Sequence, residues 1–255
     1  MITKTIEDNI IIATIENGKY NSITLEALRA LKGMIDEVNN TEEIKGLILT
    51  GAGGFFSSGF DLPMFLGYKD VKSVVGFFEE EEPILLDYFT CKKPVVCAMN
   101  GHTAAMGMIL AMASDYRIVV NKPKVKVGMS EIKIGLPLAP VMNEVMRFGL
   151  DTDKKFRDVM YFGNMMSPDA AKEMGLVDEI VEPDQLISRA KEIVKMWIDT
   201  PGRPFIAMKY MLKSESADRI RTDLATKPWR EGFECFFHKD VRGALEFTHM
   251  MMTAK

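Results

Sequence analysis

Apolar and polar residues follow two different spacings along the first half of the chain. Four short runs rich in β-branched and other apolar residues predict buried strands: residues 9–15, 45–51, 94–101 and 116–120. Between the first two runs, apolar residues recur at helical spacing behind Thr24, the expected N-cap: Leu25, Leu28, Leu31, Ile35 and Val38. A chain that repeats strand, turn, helix and strand favours an α/β fold with a partly parallel sheet.

Helical spacing dominates after about residue 151. Residues 167–181 predict a capped helix that stops at Gly175 and leads into a short strand, and Pro183 opens the next helix. Further helices are predicted in the remaining residues, with breaks near Pro228 and Gly243. We therefore divide the chain into a core, residues 1–200, and a helical C-terminal region, residues 201–255.

Composition narrows the class of protein. Among 255 residues, 47% are hydrophobic and 27% are charged, and the net charge of −4 gives no sign of nucleic-acid binding. No apolar run reaches about 18 residues, so we expect no contact with a membrane. The N-terminus does not look like a signal peptide, and Cys91, Cys97 and Cys235 form no CxxC pair, so we expect a cytoplasmic protein.

Charged and ligand-type side chains give few further signals. His102, His238 and His249 lie far apart in sequence, and no metal site is expected. Four consecutive glutamates at 79–82 predict a solvated helix face or loop.

Two glycine-punctuated turns follow predicted strands. They are "TGAGGFFSSGFDLPMF", residues 50–65, and "NGHTAAMGMILAMASD", residues 100–115. Ligands of α/β proteins bind beyond strand ends, and backbone N–H groups there can hold a negative charge. The residues alone leave open whether these glycines only make turns. Neither segment matches GxGxxG or the P-loop, so phosphate binding of those kinds is not predicted.

Glu131 lies in "MSEIKIGLP", among mostly apolar or small neighbours. Most glutamates are solvated, and a surface position is the simplest interpretation. A carboxyl in an apolar pocket instead has a raised pKa and can act as a base near neutral pH.

The order of these motifs resembles the enoyl-CoA hydratase/isomerase (crotonase) superfamily. The resemblance covers about residues 5–250 and rests on "FSSGFDL", "NGHTAAMGMILAMASDYRI", "GMSEIKIGLPLAP" and "SPDAAKEMGLVDEIV" in that order. It implies a spiral of ββα turns with a helical C-terminal region that assembles trimers or pairs of trimers. It also implies binding of acyl-CoA thioesters, whose enolate is stabilised by two backbone N–H groups.

The resemblance assigns roles to individual residues. The two N–H donors are those of Phe60 and Met106, and Met106 stands directly before the helix, where the family usually has glycine. Hydratases of the family use two glutamates, of which Glu131 matches the second and Ile109 replaces the first. The remaining residues expected to border the substrate are Ser58, Gly59, Asp61, Leu62 and Gly107. Asp61 is also expected to cap the next turn.

Loss of the first glutamate points to one reaction of the family. Hydration needs one group to activate water and another for the second proton, whereas moving a double bond from C3 to C2 needs a single base. The family's Δ3,Δ2-enoyl-CoA isomerases have this single glutamate. Coenzyme A would then be part of the substrate, with no separate cofactor. A hydratase, an acyl-CoA thioester hydrolase and a non-catalytic acyl-CoA-binding subunit remain as alternatives.

Three other features receive structural interpretations. Asp115 is expected to hold the turn before residues 116–120, and His102 to pack beside the second glycine turn. An aromatic cluster is expected in a helix, in the core or at a subunit contact: Trp229, Phe233, Phe236 and Phe237.

Overall fold

A computed structural model describes residues 1–253, which form two sheets surrounded by helices. The strands are β1 (Ile2–Glu7), β2 (Ile10–Ile15), β3 (Gly46–Gly51), β4 (Phe55–Ser57), β5 (Val95–Met99), β6 (His102–Ala104), β7 (Tyr116–Val120), β8 (Val127–Gly128), β9 (Met165–Met166) and β10 (Glu179–Val181). The α-helices are α1 (Leu25–Asn40), α2 (Leu62–Gly67), α3 (Val71–Phe89), α4 (Met106–Ala113), α5 (Pro140–Phe148), α6 (Asp153–Phe162), α7 (Pro168–Met174), α8 (Leu186–Ile198), α9 (Pro204–Thr226) and α10 (Lys239–Thr253). Short 3₁₀ helices cover Glu131–Ile134, Pro183–Gln185 and Trp229–Phe237. None of the helices within residues 1–253 has the length and apolar content that a membrane span requires.

The larger sheet has the strand order β1-β2-β3-β5-β7-β10. β1 and β2 form an antiparallel hairpin, and the later neighbours pair in parallel. Asp8 and Asn9 connect the hairpin with φ angles of 54° and 62°, the left-handed pair that a tight two-residue turn requires. Residues 47–49 and 95–99 in the middle strands are fully buried, which explains their uninterrupted apolar sequence.

Middle strands of the larger sheet continue into the smaller sheet before a helix begins. β3 leads to β4 and α2, β5 leads to β6 and α4, and β7 leads to β8 and the 3₁₀ helix Glu131–Ile134. The smaller sheet has the order β4-β6-β8-β9, in which β4, β6 and β8 are parallel. This repetition is the ββα spiral that the resemblance implied. Because β3 and β5 are neighbours, the turns that follow them lie side by side.

The end of the chain is helical, as predicted, but one predicted break is wrong. α9 ends at Thr226, and a 3₁₀ helix starts at Trp229, so the break near Pro228 is present. α10 instead continues through Gly243. A single glycine inside a helix costs only about 1 kcal/mol relative to alanine. α10 packs against α2 and the Trp229–Phe237 helix, and tertiary packing supplies most of the stability of helices in proteins.

Asp115 holds α9 on the core in addition to its predicted role in a turn. Its carboxylate accepts the Val95 N–H at 2.8 Å and lies 2.8 Å from Lys213 Nζ. Lys209 Nζ bonds the same carboxylate. Lys213 Nζ also donates to the Phe89 carbonyl at 3.0 Å, so this buried ion cluster joins α9, α3 and the larger sheet.

Two of the four consecutive glutamates are buried, contrary to the prediction of a solvated run. The first two lie on the surface of α3 and form ion pairs with arginines of neighbouring elements. Glu81 and Glu82 have no exposed surface. Four consecutive helical residues point in directions spread over most of a turn. Because α3 is packed by α1, α4, α5 and the Trp229–Phe237 helix, these four residues cannot all reach solvent.

Candidate active site

The turns that follow β3 and β5 pack directly against each other. A Cβ on Gly59 would lie 2.5 Å from Ala105 Cβ and 3.3 Å from Met106 N. A Cβ on Gly107 would lie 2.8 Å from the Ser57 carbonyl oxygen. Gly59 also has a φ of 103°, which residues with a side chain rarely adopt. Glycine at these two positions therefore permits the close approach, although neither glycine lines the cavity beside the turns.

Two backbone N–H groups lie where these turns meet. The Phe60 N–H has no acceptor among residues 1–253. The sequence predicts Met106 directly before the helix, but in the structure it is the first residue of α4, where N–H groups have no partner within the helix. Ala105 supplies no side-chain cap and has φ 54° and ψ −129°, a strained conformation for alanine. Both N–H groups are therefore suited to bind a negatively charged oxygen.

A cavity of about 210 Å³ opens beside the two turns. Six predicted site residues line it: Ser58, Phe60, Leu62, Met106, Ile109 and Glu131. The rest of the lining is mainly apolar, and its larger members are Phe65, Phe78, Ile134, Leu136, Leu138, Met142, Phe236 and Met252. A largely apolar cavity with a few polar groups is the usual form of a small-molecule site.

Glu131 is half-buried and lines the same cavity. It begins the 3₁₀ helix Glu131–Ile134, and its Oε2 accepts the Ser130 N–H at 2.9 Å. Burial raises the pKa of the Glu131 carboxyl above its usual range, while hydrogen bonds from the N–H groups of Glu131 and Ser130 oppose this shift. A carboxyl with a raised pKa is a stronger base when ionised than an ordinary solvated glutamate.

Ile109 provides a hydrocarbon wall to the cavity. It lies on α4 three residues after Met106 and is 1% exposed. Within residues 1–253, Glu131 is the one carboxyl group in the cavity lining, where Lys133 is the other charged residue. The arrangement therefore offers one acid–base group, two backbone donors and apolar walls.

The C-terminal region completes the cavity, which local sequence patterns did not predict. Phe236 lines it together with Thr248 and Met252 of α10. Tyr20 Oη donates a hydrogen bond to the Met252 carbonyl at 2.7 Å, which fixes the end of α10 near the N-terminal part of the chain. The aromatic cluster at 229–237 is the sequence signal that could have indicated that the C-terminal region borders the cavity. The ring of Phe233, a member of this cluster, stacks on the ring of Phe78 with 4.2 Å between ring centres.

Asp61 and His102 have structural contacts. Asp61 caps α2, as predicted, by accepting the Met64 N–H at 3.0 Å, and it also accepts the Ser22 hydroxyl at 2.8 Å. It borders a separate depression beside Phe60 rather than the cavity. His102 Nδ1 accepts the Lys126 N–H at 3.1 Å and so joins two turns of the spiral.

Comparisons with known proteins agree on one family and include more than one activity. A family model described as enoyl-CoA hydratase/isomerase matches residues 5–247. Enoyl-CoA delta isomerase 1, mitochondrial, of Mus musculus is 28% identical over 83% of this chain and 73% of its own length. The short-chain-enoyl-CoA hydratase of Clostridium acetobutylicum is 27% identical over 94% of this chain and 90% of its own. The crystal structure of human mitochondrial delta3-delta2-enoyl-CoA isomerase has a TM-score of 0.90 at 21% identity, covering 99% of this chain and 98% of its own.

Proposed function

Because the chain belongs to the enoyl-CoA hydratase/isomerase family, we propose that it is a Δ3,Δ2-enoyl-CoA isomerase. The observation that carries this proposal is that, among residues 1–253, Glu131 supplies the one carboxyl of a cavity that Ile109 also lines. In the family's hydratases, the first of the two glutamates occupies the position of Ile109. Coenzyme A is then the handle of the substrate, and the proposal includes no separate cofactor.

Glu131 supplies the base in the proposed reaction. Its carboxylate takes a proton from C2 of a 3-enoyl thioester, and the electron pair moves toward the thioester oxygen to form a dienolate. The same carboxyl then returns a proton to C4, so the double bond ends between C2 and C3 and no proton is gained or lost overall. Its raised pKa reduces the mismatch in acidity between the carboxyl and the thioester α-proton.

The backbone donors supply the electrostatic part of the mechanism. Negative charge develops on the thioester oxygen, where the Phe60 and Met106 N–H groups are proposed to donate hydrogen bonds. Each such donor can contribute roughly 3 kcal/mol to the transition state. Because these donors belong to the main chain, side-chain changes at Phe60 and Met106 are expected to be milder than changes that move the turns.

Hydration is the second candidate activity. The likeness to the C. acetobutylicum hydratase favours it, but hydration requires a group to activate water beside the group that handles the second proton. The apolar side chain of Ile109 offers no such group and excludes water from the dienolate. Thioester hydrolysis and acyl-CoA binding without catalysis have no comparable support from the cavity.

Glu131→Gln tests the single-base mechanism. It keeps the side-chain size and removes the base, so isomerisation of a 3-enoyl-CoA should fall by roughly 10²–10⁴-fold, while affinity for the CoA ester changes little. Glu43→Gln, at an exposed position, is the matched control and should be fully active. Efficient hydration of a 2-enoyl-CoA without isomerisation by the native protein would contradict the proposal, as would full activity of Glu131→Gln.

Ile109→Glu tests the discrimination between the two reactions. It places a carboxylate where the hydratases have their first glutamate, so slow hydration should appear, at some cost in stability from the buried charge. If the Ile109→Glu variant shows no hydration and isomerises as fast as the native protein, the residue at 109 does not decide the reaction.

We further propose that the protein is a cytoplasmic homotrimer or hexamer, assembled through the helical C-terminal region. Four apolar residues of α9 are at least two-thirds exposed: Met208, Tyr210, Met211 and Leu212. Contiguous exposed apolar residues commonly mark protein–protein contacts. Sedimentation velocity should show an assembly that Leu212→Glu weakens and that the exposed Lys154→Glu leaves intact. A stable monomer at micromolar concentration would contradict this assembly.

A further inference from the structure

Two adjacent carboxyl groups are buried in α3 outside the cavity lining. Glu81 and Glu82 have no exposed surface, and three of their four carboxyl oxygens have no hydrogen-bond partner within residues 1–253. The fourth oxygen, Glu82 Oε2, accepts the Val141 N–H at 2.7 Å. Native proteins pair nearly all buried polar atoms, because leaving them unpaired is costly. An adjacent pair with three unpaired oxygens therefore requires an explanation.

A proton shared between Glu81 and Glu82 explains how their buried oxygens can remain without other partners. Two ionised carboxylates can only accept hydrogen bonds, whereas a protonated Glu81 can donate one to Glu82. Burial and repulsion from Glu82 raise the pKa of Glu81 well above its usual range. Burial also raises the pKa of Glu82, against the effect of the N–H groups of Val141 and Met142. The pair therefore keeps at least one proton at neutral pH.

No cation forms an ion pair with either carboxyl within the described part of the chain. α4 carries no charged residue, and Glu231 and Glu234 of the Trp229–Phe237 helix are exposed. The cations on the surrounding helices pair with other carboxylates: Arg29 with Glu80, Arg230 with Glu79, Lys32 with Asp36 and Asp87, and Arg147 with Asp153. Of the remaining acidic groups there, Glu26 is exposed, Glu37 pairs with Lys4, and Glu144 of α5 pairs with Arg219 of α9. The proton is consequently the group that can balance the charge of the pair.

The pair connects two walls of the cavity. Ala139, the N-cap of α5, gives no side-chain hydrogen bond, so Glu82 from α3 supplies the acceptor for this helix terminus. Met142, next to the bonded Val141, lines the cavity. Phe78, one turn before Glu82 on α3, lines it as well. One carboxyl thus fixes the distance between the α3 wall and the α5 wall.

We propose that Glu81 and Glu82 are positioning residues, in which a shared proton lets Glu82 cap α5 and hold Met142 and Phe78 against the acyl group. The proposal rests on the proposed function for its catalytic readout. The positions of the α3 and α5 walls then depend on the last proton of the pair, because loss of that proton would leave two adjacent buried charges. A glutamine at 81 can donate to Glu82 without titrating, and a leucine at 82 removes the acceptor of the Val141 N–H.

Kinetics of four variants test this proposal. At neutral pH, Glu82→Gln and Glu81→Gln should keep kcat/KM within a factor of about three, whereas Glu82→Leu should lower it about tenfold or more, as expected for an orphaned buried N–H. Glu80→Gln, at a half-exposed position on the same helix, is the control and should match the native protein. From about pH 7 to about pH 10, kcat/KM of the native protein should decline and that of Glu81→Gln should decline less. Native activity of Glu82→Leu, or an unchanged alkaline decline in Glu81→Gln, would overturn the proposal.

Infrared spectroscopy gives a readout that does not depend on the reaction or on the folding of Glu82→Leu. The native protein should show a carboxylic-acid C=O band at neutral pH that persists in Glu131→Gln and weakens in Glu81→Gln. A band unaffected by Glu81→Gln would refute the shared proton. If the native protein does not isomerise, the proposed function fails separately from this proposal. Affinity for a saturated acyl-CoA then replaces kcat/KM as the measured quantity. Glu82→Leu should lower that affinity, and Glu82→Gln should leave it unchanged.

Discussion

Replacing Gly59 by alanine tests whether contact between the two turns positions the Met106 N–H. The added Cβ would lie 2.5 Å from Ala105 Cβ and 3.3 Å from Met106 N. Carbon atoms in contact are normally about 3.5–4.0 Å apart, so the turns must separate by about 1 Å. Met106 directly follows Ala105 and moves with it, which displaces one of the two proposed donors.

Two costs follow from this change. Alanine at a φ of 103° is strained, and a residue with a side chain loses about 1–2 kcal/mol in the left-handed region. A displaced oxyanion donor costs roughly 3 kcal/mol in the transition state, so kcat should fall by about 10²-fold. Steady-state isomerisation assays and urea denaturation measure the two effects separately.

Gly53→Ala is the matched control for strain. Gly53 has a φ of 68°, and a Cβ there would meet no atom within 4 Å. Both variants should therefore lose stability, but Gly59→Ala alone should lose most of its kcat. If Gly53→Ala loses as much kcat as Gly59→Ala, contact with the second turn is not the cause.

Ala105→Gly should rescue the Gly59→Ala variant. It removes the Cβ that the new side chain would contact, and it relieves the strained φ of 54° at residue 105. The double variant should recover most of the lost kcat, and Ala105→Gly alone should be as stable as the native protein or more so. A double variant as inactive as Gly59→Ala would refute the proposed contact between the turns.

The remaining predictions concern charge. Native isomerase activity should decline as the pH falls through the raised pKa of Glu131, because only the ionised carboxyl is a base; a flat acid limb in kcat would contradict this assignment. Since the pKa of Glu131 is higher in the folded than in the unfolded chain, its contribution to stability is full at low pH and is lost as the pH rises through the folded pKa. Glu131→Gln should therefore gain stability relative to the native protein as the pH rises, as thermal denaturation at acidic and neutral pH would show. Asp115→Asn should lower the free energy of unfolding by about 3–5 kcal/mol by leaving two buried lysines without their partner, whereas Asp151→Asn, in an exposed pair with Lys155, should cost about 0–1 kcal/mol in the same urea titration.

The sequence predicted those parts of the fold that depend on local spacing. The runs at 45–51 and 116–120 became β3 and β7, and Thr24 caps α1 by accepting the Ala27 N–H at 3.2 Å. The two glycine turns were located because glycine after a buried strand has a local reason, a backbone that must turn or approach another closely. Glu131, Ile109, Phe60 and Met106, which the sequence analysis names from separate segments, all line one cavity; their proposed roles stay predictions.

Features that depend on distant packing were missed. The burial of Glu81 and Glu82 is decided by α1, α4 and α5, which cover α3 from other parts of the chain. Thr248 and Met252 reach the cavity from α10, far in sequence from the turns that they cover. The hairpin of β1 and β2 was missed for a local reason, because it turns at Asp8 and Asn9 without the glycine that usually marks such a turn.

The exceptions to local preference cluster at the proposed site. Ala105 adopts a backbone conformation that favours glycine, Gly59 is required by a contact rather than by its own strand, and Glu131 holds a carboxyl in an apolar cavity. Each exception costs stability, and each lies at or beside a group that is proposed to act as a backbone donor or as the base. Ile109 is the opposite case, because an apolar residue inside an apolar helix satisfies every local preference. Under the proposed function, a residue that costs the fold nothing would therefore decide the reaction, since it would determine whether a carboxylate is present to activate water.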